Sequence, residues 1–546
     1  MPVNPAEEEF LCSPSTQQYE PTTRSPSVYN PLDTFRLPPG QERHYQQQYG
    51  DMYFLRLAKL KPAVEAIAVE AWEGFTIAGE HARRVERVLD VRQGELCWVA
   101  GTIYMAMPLK PNVLEDLMKD ASSDLCNFTS APPPRRTYID PSNPELTEIM
   151  LEDESGRLRL TGSKLRSVQL ATGAIIAVLG TENANGDFEV VDIKVPDLAR
   201  QPSRWERDEA PPSRDSKKGK IALVSGLGIT GTSSENLALE LLTDYLLGYT
   251  GSSPSRDGSL PDASGITRLI IAGNSLGAST IEEAPGLENG TTGKKLAQHK
   301  KYGYDASAYN ASPIVQLDSF LAELLPSIPI TLMPGESDPA NFALPQQPIH
   351  RAMFPRARAY CSAPPAGDEK PEPGWFDSVT NPWEGDVEGW RLWGCSGQNV
   401  DDVLRYLDFA DDDDGNIDTD GDAEARIRIM EAMLRWRCGV PTAPDTIWSY
   451  PFQTHDPFVM QTCPHIFFAG NQPRFKTAII EGDSPLTLNG EDTEMGGIDE
   501  NASAPTVRLV SIPKFQETGE LILVDTETLE VEVVKFGAFA GREEKQ

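Results

Sequence analysis

Histidine and cysteine are thinly spread through this chain: six histidines and seven cysteines in 546 residues. His44, His81, His299, His350, His455 and His465 form no H-E-x-x-H motif and no close pair, so a histidine-based metal centre would have to be assembled from distant loops. Cys12, Cys97, Cys126, Cys361, Cys395, Cys438 and Cys463 contain no C-x-x-C pair. That pattern implies reduced thiols in cytosol or nucleus and excludes a disulfide framework. Apolar runs long enough to cross a bilayer are also missing, so no membrane span is expected. The opening MPVNPAEEEF has neither a basic start nor an apolar run and predicts no signal peptide.

Positive charge is the other deficit. Forty-nine Lys and Arg stand against 82 Asp and Glu, a net charge of −33. Phosphate backbones repel such a chain, so little direct DNA binding is expected. An acidic face for a basic partner, or simple solubility, explains the excess.

The length exceeds what one core spans, and the pattern along it predicts four parts. Residues 1–44, rich in Pro, Ser, Gln and Glu, predict a disordered tail. Residues 45–200 predict amphipathic helices broken by Pro62 and Gly74, then a small barrel. Its strands fall at 95–107, at 148–162 around Ser155-Gly156, and at 174–195, where Asn185-Gly186 suits a type I′ turn. Five strands in about a hundred residues point to an OB-fold. Acidic residues outnumber basic ones there too, which favours protein contact over strand binding.

Residues 201–220 predict a polar linker, and 221–546 an α/β domain. Strands at 221–225, 268–273 and 328–333 alternate with helices at 235–248, capped by Thr232-Ser233-Ser234-Glu235, and at 317–325. The order implies a largely parallel sheet, with strands at 464–469, 506–512 and 520–534 completing a sandwich. Segments 251–264, 284–302, 364–374, 411–423 and 484–503 are predicted polar surface insertions.

Several motifs invite chemistry. Gly226-Leu227-Gly228-Ile229-Thr230-Gly231 is a G-x-G-x-x-G between strand and helix, but the next strand ends in Ala272-Gly273-Asn274 without the acid that would bind a ribose. Thr232 stands where a Walker A lysine would be required. Gly394-Cys395-Ser396-Gly397-Gln398 fails the nucleophile-elbow pattern at Gln398. The acidic run 411–422 fits an EF-hand loop until position 12, where Ile427 replaces the bidentate Glu. No cofactor is therefore expected.

The strand ends are more informative. They read Val224-Ser225-Gly226-Leu227-Gly228, Ala272-Gly273-Asn274-Ser275, Met333-Pro334-Gly335-Glu336-Ser337-Asp338 and Phe468-Ala469-Gly470-Asn471-Gln472-Pro473. Their order resembles the calcineurin-like metallophosphoesterases, whose loops carry Asp-x-His, Gly-Asp, Gly-Asn-His-Asp/Glu and Gly-His-x-His around two metals. On that resemblance the ligand slots fall on Gly226, Gly228, Asn274, Glu336, Ser337, Asn471 and Pro473, with Asp338 kept. Glycine and proline offer no ligand, and two divalent ions close together need anionic or imidazole groups to hold them.

An OB-fold followed by a degenerate phosphoesterase resembles the B-subunits of replicative DNA polymerases. The blocks MPGESDPANFALPQQPIHRAMFP (333–355), TNPWE (380–384), GCSGQNVDD (394–402), PTAPDTIWSYPF (441–452) and CPHIFFAGNQPRF (463–475) are similar to the small-subunit family of polymerase delta. The resemblance implies an αββα sandwich without its metal ligands and a nuclear, non-catalytic scaffold. It would join the cysteine-rich C-terminal module of the catalytic subunit to the third subunit, which carries the clamp-binding motif. The sliding clamp would be reached only indirectly, and sharing with polymerase zeta is implied in some lineages. An active metallophosphoesterase or nuclease is the alternative.

Overall fold

The computed structural model describes residues 24, 27–40, 42–43, 49–77, 79–111, 137–140, 142–207, 219–231, 237–249, 263–277, 311–362, 373–407, 419–482 and 504–537. Three of the five predicted insertions (251–264, 364–374 and 411–423) lie outside these residues except at their edges, and 284–302 and 484–503 lie wholly outside. So do the predicted cap at 232–235 and most of the acidic run.

Part of the predicted tail is folded. β1 (Tyr29–Pro31) pairs antiparallel with a strand of the sandwich. Tyr29 and Phe35 are buried, and Phe35 meets Trp393 edge-on at 6.1 Å. Two aromatic anchors supply the apolar burial that the average composition of 1–44 conceals.

α1 (Tyr49–Trp72) is one helix, not two broken at Pro62. Met52, Arg56, Leu60, Val64, Ala68 and Trp72 are buried at a spacing of four. Pro62 and Ala58 lie on the exposed face, so the carbonyl that Pro62 leaves without a donor faces water.

α1 packs on a closed barrel of β2 (Leu96–Ala106), β3 (Glu148–Glu152), β4 (Arg157–Thr161), β5 (Ile175–Glu182) and β6 (Phe188–Lys194). The order is β2-β3-β4-β6-β5, and β5 pairs back to β2. The β5–β6 hairpin differs from the type I′ expectation. Asn183 O accepts from Gly186 N, Asn183 N donates to Asp187 O, and only Gly186 has positive φ, at 84°. This is a type I turn followed by a glycine bulge, because Asn183 Oδ1 accepts from the amides of Asn185 and Asp187 and fixes the loop one residue earlier.

The second part begins with β7 (Lys220–Val224), α2 (Leu237–Leu247), β8 (Ile266–Ala272), α3 (Ser312–Leu324), β9 (Ile330–Met333) and β10 (Phe376–Ser378). It continues with β11 (Trp383–Val387), β12 (Trp390–Cys395), α4 (Gln398–Leu404), α5 (Thr419–Arg435), β13 (Ile466–Gln472) and β14 (Lys476–Glu481). β15 (Thr506–Pro513), α6 (Phe515–Thr518), β16 (Glu520–Asp525) and β17 (Val531–Lys535) complete it. Two six-stranded sheets result, β1-β11-β12-β13-β15-β14 and β10-β9-β8-β7-β16-β17. β7, β8, β9 and β10 run parallel, as the alternation predicts.

One core lies between the sheets, with Leu223, Ile270 and Ile522 against Leu392, Phe468 and Val510. α2 and α3 bury Leu242, Leu317 and Leu321 on the outer face of one sheet. α5 buries Met430 and Met433 on the outer face of the other. Two sheets inside and helices outside are the expected layers.

Barrel and sandwich share a continuous core. Arg56 of α1 donates to Asp456 at 2.8 Å and to the carbonyls of Pro441 and Ala443. Tyr138, in the connection between β2 and β3, donates to Asp402 Oδ1 at 2.7 Å and stacks edge-on against Tyr406. The start of the predicted linker is pinned rather than free. Gln201 donates to Pro464 O and Thr506 O, and Arg204 lies over the Trp390 ring at 4.5 Å.

Candidate functional site

Parallel strands gather their carboxyl ends at one rim, and the loops leaving β7, β8, β9 and β13 meet there. The first two loops are zipped together: Gly226 N donates to Gly273 O at 2.9 Å, Gly228 N to Asn274 O at 3.2 Å and Ile229 N to Ser275 O at 2.9 Å. Gly226 and Gly228 both take φ of 61°, a left-handed conformation suited to glycine. A Cβ on Gly228 would lie 1.6 Å from Gln516 Oε1, and one on Gly226 would lie 2.8 Å from Asn471 Oδ1. The space a first-loop ligand would need is filled by this chain's own side chains.

The asparagines are engaged with the main chain. Asn274, at φ 51°, accepts on Oδ1 from Ser337 N at 3.1 Å. Asn471, at φ 58°, donates through Nδ2 to Ser396 O at 2.9 Å and to Ala272 O at 3.3 Å, while its N–H donates to Ser225 Oγ. It thereby ties one sheet to the other. Asp338 is buried, and its carboxylate accepts from the amides of Ser275, Leu276 and Gly335. Burial pushes its pKa up against the pull of those amides. Glu336, Ser337 and Pro473 are exposed, and Ser337 Oγ donates to Leu276 O. The rim thus brings together Gly226, Gly228, Asn274, Ser337 and Asn471, while Glu336 and Pro473 face solvent. Among the described residues no group of three or more His, Cys, Asp or Glu is placed to hold a metal ion.

Beside the rim lies an amide network that no catalytic or metal-binding motif announces. Asn381 Nδ2 donates to Gln346 Oε1 and to Gln398 Oε1, both at 2.8 Å, and Asn381 Oδ1 accepts from Ser396 N. Gln346 Nε2 donates to Gly335 O and Asn341 O. These residues belong to the LPQQP, TNPWE and SGQNV blocks, so the density of Asn and Gln in those blocks was the available signal.

The remaining candidates are structural. Ser396, the serine position of the elbow pattern, is buried and its Oγ accepts from Asn471 Nδ2 at 3.4 Å, while burial pushes the neighbouring Cys395 thiol up to about 12, with its Sγ 3.8 Å from Phe468 O. His465 is buried and accepts from Arg391 N on Nδ1. Burial and the Arg391 charge push its pKa down to about 4. The described end of the acidic run holds Asp422, which pairs with Arg426.

Residues 48–193 match the family model for the DNA polymerase delta subunit OB-fold domain, spanning α1 and the barrel. Residues 221–477 match the model for the DNA polymerase alpha/epsilon B-subunit, from β7 to the start of β14. The chain is 33% identical to the DNA polymerase delta small subunit of Saccharomyces cerevisiae over 93% of each chain. It is 32% identical to that of Arabidopsis thaliana over 94% of this chain and 96% of the relative. It belongs to the DNA polymerase delta small-subunit family. A 31% identity to DNA polymerase delta subunit 2 of Drosophila melanogaster covers 95% of this chain and all of the relative. In this member of the family the OB-fold is the closed barrel β2–β6, and the amide network lies within the alpha/epsilon match.

Proposed function

We propose that this chain is a non-catalytic subunit of a DNA polymerase delta complex acting in DNA replication and repair in the nucleus. Its sandwich is a calcineurin-like phosphoesterase fold whose metal ligands have been replaced. The replacement of ligands carries this reading: Gly226 and Gly228 are closed over by Asn471 and Gln516, and Asn274 Oδ1 and Asn471 Nδ2 are bonded to main-chain groups. Two close cations would find neutral groups there, among them the buried Asn471 Oδ1, which meets no donor among the described residues.

The role left to such a fold is to join partners. On this reading the chain bridges the cysteine-rich C-terminal module of the catalytic subunit to the third, clamp-binding subunit, and reaches the sliding clamp through the latter. A polymerase zeta catalytic subunit can use the same platform. Direct DNA contact is minor, because the chain is strongly acidic and several of the barrel's cations are paired: Arg83 with Glu95 at 2.9 Å, Arg84 with Glu65 at 2.7 Å and Arg159 with Glu148 at 3.5 Å. The rigid joint made by Arg56 and Tyr138 suits a platform that presents barrel and sandwich together.

The test is co-purification of the full chain with the C-terminal module of a polymerase delta catalytic subunit, together with a phosphodiester assay in Mn²⁺. Stable 1:1 binding without turnover is expected. Turnover abolished by Asn274→Ala would instead establish an active phosphoesterase or nuclease.

A further inference from the structure

The two flanks of the sandwich are treated differently. On one, β1 adds to β11, and Tyr29 OH donates to Asp377 in β10 of the facing sheet at 2.6 Å, so one strap closes both edges. The other flank ends in β14 and β17. Among the described residues no strand pairs with the outer edge of either.

β14 has a defined outward side. Gly482 N donates to Pro505 O, and the same two-residue alternation assigns the ladder with β15 to Ile480, Ala478 and Lys476. The N–H and C=O groups of Thr477 and Ile479 therefore point away from the sheet. Ala478 and Ile480 pack towards α5, so Ile479 faces the inter-sheet side, where it is 53% exposed. Its register partner on β15 is Arg508. Val533 on β17, 40% exposed, looks into the same space from the facing sheet.

Arg508 is the unusual member. Its Nε is buried and meets no acceptor among the described residues, and no described carboxylate forms an ion pair with it; Glu530 acts on it only at a longer range. An arginine seated in a partly apolar slot without its counter-ion lacks a carboxylate.

Resting on the subunit role above, we propose that this flank is a strand-addition site for an extended, acidic segment of a partner protein. The segment pairs with the main chain of Thr477 and Ile479, places an apolar side chain between Ile479 and Val533, and brings a carboxylate to Arg508.

The test uses full-length chain reconstituted with the catalytic and third subunits of polymerase delta. Hydrogen exchange at the amides of Thr477 and Ile479 is read in the free chain and in the complex, and partner retention is read by size-exclusion chromatography. Ile479→Pro removes an outward N–H that β15 does not use, so the fold is kept. Arg508→Glu reverses the charge. Exchange at both amides is expected to slow by about tenfold or more in the complex. Each variant is expected to lose one partner and keep the other.

Variants that retain both partners, or amides that exchange equally in both states, would overturn the proposal. Amides already protected in the free chain, and released by deleting 484–503, would show that the chain occupies its own edge and would also overturn it. A wild-type chain that binds neither subunit would overturn the subunit role itself, an outcome distinct from variants that behave as wild type in an intact complex.

Discussion

Arg56 and Asp456 meet at 2.8 Å across the joint of barrel and sandwich, each with a side chain only 1% exposed. The guanidinium also donates to the carbonyls of Pro441, Val440 and Ala443, so nearly all its N–H groups are used. Breaking one half of such a pair strands the other charge in the core. Arg56→Ala or Asp456→Ala is expected to cost about 3–5 kcal/mol. The double substitution to Met and Leu is expected to recover much of that loss, because an apolar pair of similar volume strands nothing. Urea midpoints for the single and double variants check this. A double variant as unstable as the singles would refute the electrostatic account.

His465 makes stability depend on pH. It is held near a pKa of about 4 by burial and by Arg391, against an ordinary value of 6.5. Between those values the unfolded chain binds the proton and the folded chain does not, so stability falls as pH drops from about 6.5 towards 4. The loss is on the order of 3 kcal/mol. Buried Asp338, Asp377 and Asp402, with raised values, push the other way in acid, so the test is comparative. His465→Gln is expected to show a shallower decline of melting temperature between pH 6.5 and 4 than the wild type. Parallel curves would remove His465 as the source.

Layer order was legible because it rests on period. Alternation in 148–162 and 174–195 gave the barrel strands, and the βαβ rhythm of 221–333 gave the parallel sheet, where local pattern and burial agree. The 3.6-residue rhythm survived Pro62, yet a rule about proline overrode it; only the exposure of Ala58 reveals why the helix continues. Tyr29 and Phe35 were lost in a Pro- and Ser-rich background, since their partners Asp377 and Trp393 lie more than 300 positions away. At the rim, the phosphoesterase resemblance led to the expectation that Gly226, Gly228, Asn274 and Asn471 stand in ligand slots, and the structure places these four residues together. That Gln516 fills the Gly228 slot could not be read, because α6 reaches it from the far end of the chain.

Pro62 offers a direct measure of what α1 tolerates. Proline in a helix interior costs about 3 kcal/mol relative to alanine, less where the orphaned carbonyl is hydrated. Pro62 is exposed, so Pro62→Ala removes no core contact and returns an N–H to the Ala58 carbonyl. The substitution is expected to stabilise the chain by about 1–3 kcal/mol, read as a raised melting temperature. A fall would mean that the ring has a contact worth more than the hydrogen bond.

Placing the ligands that the proposed phosphoesterase pattern asks for tests whether the rim is merely short of donors or is shaped against them. Gly226→Asp, Gly228→His and Asn274→Asp together replace three slots with the residues that the phosphoesterase pattern asks for. Backbone and neighbours oppose the first two: both glycines sit at φ 61°, with Asn471 Oδ1 and Gln516 Oε1 already in the space a side chain would enter. Asn274→Asp places a charge where the amide oxygen now accepts from Ser337 N, and gives it no cation. The triple variant is expected to lose stability and to show no heat of Mn²⁺ binding by calorimetry. Adding Gln516→Ala clears the Gly228 slot and is expected to recover part of the stability while leaving Mn²⁺ unbound, because Asn471 still closes the Gly226 side. Tight Mn²⁺ binding by the triple variant would show that the rim kept the geometry of a two-metal centre and lost only its ligands.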